Sequence, residues 1–231
     1  MRSSKWSAQG NVYLLVEGER LTPDRARELS TAHETDGVLE VIGVDGADAE
    51  IAIWNPDGSR AEHSGNGTRI AARWLADRTG AAEVRIHVGK RVTGARIRGE
   101  LVEQELGPVE VGPPERLEGV DFVPVSVGNP HAVVEGEPAE IEQIGPLLET
   151  HPRFPGRTNV QVARRDGPGR FTARIWERGV GETSSSGTSA VAVAAALGGE
   201  GEMEVRFPGG LLRVRIESGQ AYLTGPAEQV D

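Results

Sequence analysis

Two stretches decide how this chain folds: IWNPDGSRAEHSGNGTRIAARWL, residues 53–75, and IWERGVGETSSSGTSAVAVAAAL, residues 175–197. At a shift of 122 residues, Ile53-Trp54 falls on Ile175-Trp176, Ser64-Gly65 on Ser186-Gly187, and Ala72 and Leu75 on Ala194 and Leu197. A second pair agrees at a shift of 118: Gly10-Asn11 with Val16-Glu17, against Gly128-Asn129 with Val134-Glu135. Matches in a common order at similar spacing are the mark of an internal duplication. Two homologous halves are expected, 1–115 and 116–231, with Gly112-Pro113-Pro114 suited to the link between them.

Each repeat reads as a strand ending in Ile-Trp, a glycine-bearing loop, and a Ser-Gly step into a helix. The first helix places Ile70, Ala71, Trp74 and Leu75 on one face. The second is apolar nearly all round from Ala190 to Leu197, and a helix apolar on every side is buried on every side. Strands are expected at 11–17, 38–43, 50–54, 84–88, 91–98 and 211–216, separated by turns such as Pro56-Asp57-Gly58. Two more helices open at Thr22-Pro23, running to about Thr31, and at Pro138, running to about Leu148. The fold class is therefore α/β (α+β), each half a mainly antiparallel sheet curled around a central helix.

Composition narrows the function. The 231 residues are 37% apolar with 31 glycines, which fits a globular protein of one large or two small domains. A net charge of −10 disfavours nucleic acid and anionic lipid as partners, and 4 Trp, 2 Tyr and 4 Phe make a poor base-stacking platform. The longest clean apolar run, Ala190 to Leu197, is far too short to cross a bilayer. The start Met1-Arg2-Ser3-Ser4-Lys5-Trp6 is basic but lacks the apolar stretch of a signal peptide, so a cytoplasmic location is expected. Cysteine is absent, which removes disulfides, thiolate metal sites and thiol nucleophiles. His33, His87 and His151 have no metal-like spacing, and no metal is expected.

Chemistry concentrates at the two helix starts. Free N–H groups there bind carboxylates and favour the ionised form of a side chain placed among them. Two such starts, related by the repeat, suit a reaction that needs an acid on one side of a carbon and a base on the other.

At these residues the chain resembles the diaminopimelate epimerase family of cofactor-independent amino-acid racemases and epimerases. The resemblance runs through seven ordered motifs: Ala8-Gln9-Gly10-Asn11, Asn55-Pro56-Asp57-Gly58-Ser59, Ser64-Gly65-Asn66-Gly67-Thr68-Arg69, Gly128-Asn129-Pro130-His131, Thr158-Asn159-Val160, Glu177-Arg178-Gly179-Val180-Gly181-Glu182-Thr183 and Thr224-Gly225-Pro226-Ala227. It implies that Asn11, Asn55, Asn129, Asn159, Glu177 and Arg178 hold the distal amino-acid end of a diamino-acid substrate. It implies that Gly65, Asn66, Gly187 and Thr188 offer backbone N–H groups to the carboxylate at the reacting carbon, where charge develops when the Cα proton leaves. The implied activity is conversion of LL-2,6-diaminopimelate to the meso form, a step of lysine biosynthesis, by a homodimer without pyridoxal phosphate. No cofactor is expected, and neither Lys5 nor Lys90 lies in a motif.

The family's reaction uses two cysteines, one taking the Cα proton and the other delivering a proton to the opposite face. Ser64 and Ser186 occupy those catalytic positions here. A thiol with a pKa of about 8.5 is brought near neutrality by a helix start, whereas a serine hydroxyl stays protonated and needs a partner base. Three readings stand. The chain is an epimerase altered at both positions, a serine epimerase working through neighbours such as His63 or Glu182, or a homologue that binds a diamino acid without turning it over or isomerises through a carboxylate as the phenazine-biosynthesis isomerases do. Glu62 is a further carboxylate candidate; His131 reads as a structural hydrogen-bonder in its turn.

Overall fold

The computed structural model describes residues 1–61 and 64–230. The chain forms two compact units, Met1–Gln104 with Gly225–Asp231, and Glu105–Thr224. The division falls at Gln104/Glu105, upstream of the 115/116 boundary read from the sequence, and the last residues are counted with the first unit.

In the first unit the elements are β1 (Arg2–Ala8), β2 (Asn11–Glu17), α1 (Pro23–His33), β3 (Gly37–Asp45), β4 (Asp48–Trp54), β5 (Arg60–Ala61), α2 (Gly65–Thr79), β6 (Glu83–Val88) and β7 (Arg91–Arg98). Strand β8 (Leu101–Pro108) carries the chain past the boundary. In the second unit follow β9 (Glu110–Val111), β10 (Glu115–Leu117), β11 (Val120–Ser126), β12 (Pro130–Glu135), α3 (Ile141–Glu149), β13 (Asn159–Gly167), β14 (Arg170–Glu177), β15 (Gly181–Thr183), α4 (Gly187–Val193), β16 (Gly201–Phe207), β17 (Gly210–Glu217) and β18 (Gln220–Pro226). Strand β19 (Glu228–Val230) pairs back onto β1.

The ladders repeat element by element. In the first unit β1–β2 is antiparallel, β2–β3 parallel, β3–β4 and β4–β5 antiparallel, β4–β6 parallel, and β6–β7 antiparallel. In the second, β11–β12 is antiparallel, β12–β13 parallel, β13–β14 and β14–β15 antiparallel, β14–β16 parallel, and β16–β17 antiparallel. Register follows the sequence shift: Val38 faces Trp54 as Val160 faces Trp176, and Tyr13 faces Gly37 as His131 faces Asn159.

The near-continuous apolar run of β2 has a physical cause. Side chains alternate across a strand, and this strand is covered on both faces. Leu15 enters the cluster around α2, with Leu39, Ile51, Ile53, Ile70, Leu75 and Ile86, while Leu14 and Val16 pack with Leu29 of α1 and with Trp54. In the second unit Val133 enters the cluster around α4, with Ala190 to Ala194, Phe171 and Val205, while Ala132 and Val134 pack with Ile141 and Leu148 of α3. The expected central helices are therefore present, each packed against strands of its own unit. The helix expected from Pro138 is split into a 3-10 turn, Pro138–Glu140, and α3, and α4 gives way to a π-helical turn at Ala194–Gly198.

Candidate active site

In the first unit Ser64 is the N-cap of α2, extended at φ −144°, and its Oγ accepts the Gly67 N–H at 3.0 Å. Gly67 suits the tight space there, because a Cβ would stand 3.1 Å from Leu39 Cδ2 and 3.2 Å from Ser64 Oγ and one of them would have to shift. The Tyr13 hydroxyl lies 3.0 Å from Ser64 Oγ. The backbone N–H groups of Gly65 and Asn66, in the first turn of α2, have no partner within the helix.

Asn66 and Asn11, which the resemblance set at different ends of the substrate, meet in the structure: Asn66 Nδ2 donates to Asn11 Oδ1. Arg69 holds Asn66 from behind, its Nη2 donating to Asn66 Oδ1 at 2.6 Å and its Nε to the Pro226 carbonyl at 3.0 Å. The guanidinium is fully buried, burial lowers its pKa to about 10, and Nη1 has no partner. It therefore stays charged at neutral pH. Asn55 is placed differently. Its Nδ2 donates to Ser59 Oγ at 2.9 Å, closing its own turn, and Asp57 Oδ1 accepts from the same serine's N–H and hydroxyl.

In the second unit Ser186 occupies the equivalent N-cap of α4, extended at φ −150°, but its side chain makes no capping bond. Its Oγ lies 3.5 Å from Thr188 Oγ1, at the limit of a hydrogen bond. Gly187 is pressed against Leu223, whose Cδ2 would meet a Cβ at 2.6 Å. Burial pushes the Glu177 carboxyl up from its ordinary value, and the Thr183 and Ser186 hydroxyls pull it the other way more weakly. Thr183 Oγ1 itself is buried without a partner at hydrogen-bonding distance.

Polar side chains also converge on β12 and β13. His131 is almost fully buried, and burial pulls its pKa down to about 3, so it is neutral. Gln161 Nε2 donates to His131 Nδ1 at 3.0 Å and to Ser189 Oγ at 3.0 Å, which leaves His131 Nε2 to donate to Asn129 Oδ1 at 3.0 Å. Asn159 accepts the Arg178 N–H on Oδ1 and donates to the Pro130 carbonyl from Nδ2, both at 3.0 Å. The Arg178 side chain is exposed, donates to the Gly156 carbonyl at 3.2 Å, and makes no ion pair among the described residues. Buried Glu149 fixes the loop that carries it, accepting the Gly179 N–H at 2.7 Å and Trp176 Nε1 at 2.8 Å. Those bonds, with the nearby Arg157, hold its carboxyl below the ordinary value, the Gly179 N–H contributing most.

A profile of the family described as "Diaminopimelate epimerase" matches residues 123–230. Over nearly the whole length, the chain is 35% identical to diaminopimelate epimerase of Synechocystis sp., covering 98% of this chain and 96% of that one. The chain belongs to the diaminopimelate epimerase family. A second member, diaminopimelate epimerase of a Synechococcus strain, is 36% identical over 96% of this chain and 94% of its own. Among solved structures, a phenazine biosynthesis protein of the PhzF family from Bacillus anthracis superposes with a TM-score of 0.74 over 99% of this chain and 96% of that one, at 16% identity, and so shares the fold.

Family membership gives the epimerase motifs their place on this scaffold. The structure gathers Asn11, Ser64, Gly65 and Asn66 in one unit, and Glu177, Ser186, Gly187 and Thr188, with the pairs Asn129–His131 and Asn159–Arg178, in the other. Glu182, expected as a neighbour of Ser186, is bound elsewhere. It forms a two-pronged pair with Arg174, both contacts at 2.6 Å. Strand alternation explains this, since Glu182 faces Trp176 and Thr183 faces Ile175 across β14–β15, so their side chains leave opposite faces. Glu62 and His63 lie outside the described residues. Sequence reasoning missed Tyr13, Gln161 and Glu149; the only signal for Tyr13 was its place two residues after Asn11.

Proposed function

We propose that this chain is an isomerase that inverts one α-carbon of LL-2,6-diaminopimelate to the meso form by direct proton transfer, without a cofactor. The observation that carries the reading is the 35% identity to a diaminopimelate epimerase across 98% of the chain. Ser64 and Ser186 take the two proton-transfer positions. The N–H groups of Gly65, Asn66, Gly187 and Thr188 hold the carboxylate at the reacting carbon and stabilise the charge that spreads onto it. Arg178 meets the distal carboxylate in fork geometry, beside Asn159, Asn129, Asn11 and Glu177. Asn55 joins them by exchanging its Ser59 partner for the substrate.

Supporting electrostatics come from the first unit. Arg69 is a buried cation with no carboxylate within ion-pair distance among the described residues, and an isolated buried charge is costly unless an anion compensates it. A carboxylate substrate supplies that anion. We also propose that the halves 1–115 and 116–231 arose by duplication, and that the protein works as a cytoplasmic homodimer on a small diamino acid, without nucleic-acid or membrane partners. Among the described residues no helix is long and apolar enough to cross a membrane.

Incubation with LL-diaminopimelate in heavy water tests the reaction: deuterium should appear at Cα as the meso isomer forms. No wash-in at high enzyme loading defeats the catalytic reading for this chain. Calorimetric binding without exchange would indicate a diamino-acid-binding homologue, and failure to bind any diamino acid would favour an isomerase of the phenazine-biosynthesis type.

A further inference from the structure

A serine hydroxyl at a proton-transfer position needs a second group, because it neither ionises near neutral pH nor regains a proton readily from apolar surroundings. In the first unit such a group is already seated. The ladder sets Tyr13 opposite Gly37, and a Cβ at position 37 would stand 2.8 Å from Tyr13 Cε1. The missing side chain is the space into which the aromatic ring leans. From there the phenol oxygen reaches 3.0 Å to Ser64 Oγ. Among the described residues the other bond to that Oγ comes from the Gly67 N–H, which cannot give up its proton, so among them the Tyr13 hydroxyl is the exchangeable partner.

Resting on the epimerase reading, we infer that Tyr13 and Ser64 act as a proton relay on the donating side of the reaction. Ser64 O–H breaks as its proton joins the lone pair of the α-carbanion, forming the new Cα–H bond. Tyr13 O–H breaks in the same motion and its proton passes to Ser64 Oγ, restoring the hydroxyl. The negative charge leaves the carbon and rests on the Tyr13 phenolate, which water reprotonates. The free energy favours this order, since a phenol of pKa about 10 is a far stronger acid than an aliphatic hydroxyl. Read in reverse, the same two oxygens abstract the proton once the phenolate has formed. Tyr13 is thus a positioning and relay residue that acts through Ser64.

The test compares Tyr13→Phe in two backgrounds, the chain itself and its Ser64→Cys/Ser186→Cys form. A thiol carries its own ionisable proton and needs no phenol, so the relay predicts a split. In the serine chain Tyr13→Phe should lower kcat by about 100-fold, the ordinary worth of one proton-transfer partner, with KM nearly unchanged. In the cysteine background the same substitution should cost less than about 3-fold, because one hydrogen bond is lost and no proton path. An equal loss in both backgrounds shows that Tyr13 only supports the fold of the helix start, and overturns the relay. No loss in the serine chain overturns it as well. If the serine chain shows no exchange while the cysteine form is active, the relay and turnover by this chain both fail, and the scaffold remains an epimerase through its thiol form only. If neither form exchanges the Cα proton, both fail.

Discussion

In the first unit the helix-start serine is tied down on two sides, by the Gly67 N–H and the Tyr13 hydroxyl, and a buried arginine stands behind its neighbours. In the second unit the serine at the matching position makes no capping bond, and the nearby ionisable group is a carboxyl pushed up by burial. The same ladder thus carries unlike surroundings. The residue that faces Gly37 is Tyr13, turned to Ser64, while its counterpart facing Asn159 is His131, turned to Asn129. The matched ladders keep the backbone geometry that presents a hydroxyl. The flanking strand positions differ, and with them the groups that surround each hydroxyl.

The strongest way to break the contrast is to give both helix starts a side chain that needs no partner base. Ser64→Cys with Ser186→Cys should raise the rate of LL-to-meso conversion by about 1,000-fold or more, read by chiral chromatography, because each thiol titrates near the working pH at a helix start. An unchanged rate would mean that the chemistry does not follow the thiol route. The next effect separates the two arginines. Arg178→Ala should weaken diamino-acid binding by about 100-fold in calorimetry, the loss expected if its exposed fork, free of ion pairs among the described residues, grips the distal carboxylate as proposed. Arg69→Met should weaken it by less, about 10-fold, and leave the melting temperature of the free protein no lower, since the substitution removes an uncompensated buried charge.

Smaller effects bear on stability. Glu149→Ala leaves the Gly179 N–H and Trp176 Nε1 without their acceptor and should cost about 2 kcal/mol in urea unfolding. The native pKa of Glu149 lies below its unfolded value, so its contribution is fully present above about pH 4.5 and is lost as pH falls through the native value. His131 obeys the same sign. Burial lowers its native pKa from 6.5 to about 3, so the stabilisation of its neutral form is full above pH 6.5 and is lost between there and 3. Urea midpoints of the parent should therefore fall as pH drops from 7 to 4, and His131→Gln should flatten part of that slope. An identical slope in the variant would place the sensitivity elsewhere.

Much of this architecture was legible in the sequence because it follows from local periodicity. The repeat announced two matched helix starts, and the apolar runs of β2 and α4 announced burial on every side. The joining of Asn11 to Asn66, 55 residues apart, was not among these. What escaped was set by distance along the chain. Glu149 reaches Trp176 and Gly179 from 27 and 30 residues away, and Tyr13 reaches Ser64 from 51, so no spacing rule points to either pair. Glu182 misled for the opposite reason. It lies four residues from Ser186 in sequence, but the two-residue alternation of β15 turns it to Arg174.

The two tryptophans that end the matched strands offer a practical consequence. Trp54 Nε1 donates to the buried Glu40 at 2.9 Å, and Trp176 Nε1 donates to the buried Glu149 at 2.8 Å, so each unit carries an indole wired to a carboxylate. Trp6, Trp54 and Trp74 all belong to the first unit, whereas Trp176 stands alone in the second. Emission from a Trp176→Phe form therefore reports the first unit only, and the difference from the parent isolates the second. The protein comes with its own pair of optical channels, through which loosening of one unit can be timed against the other without attaching a dye.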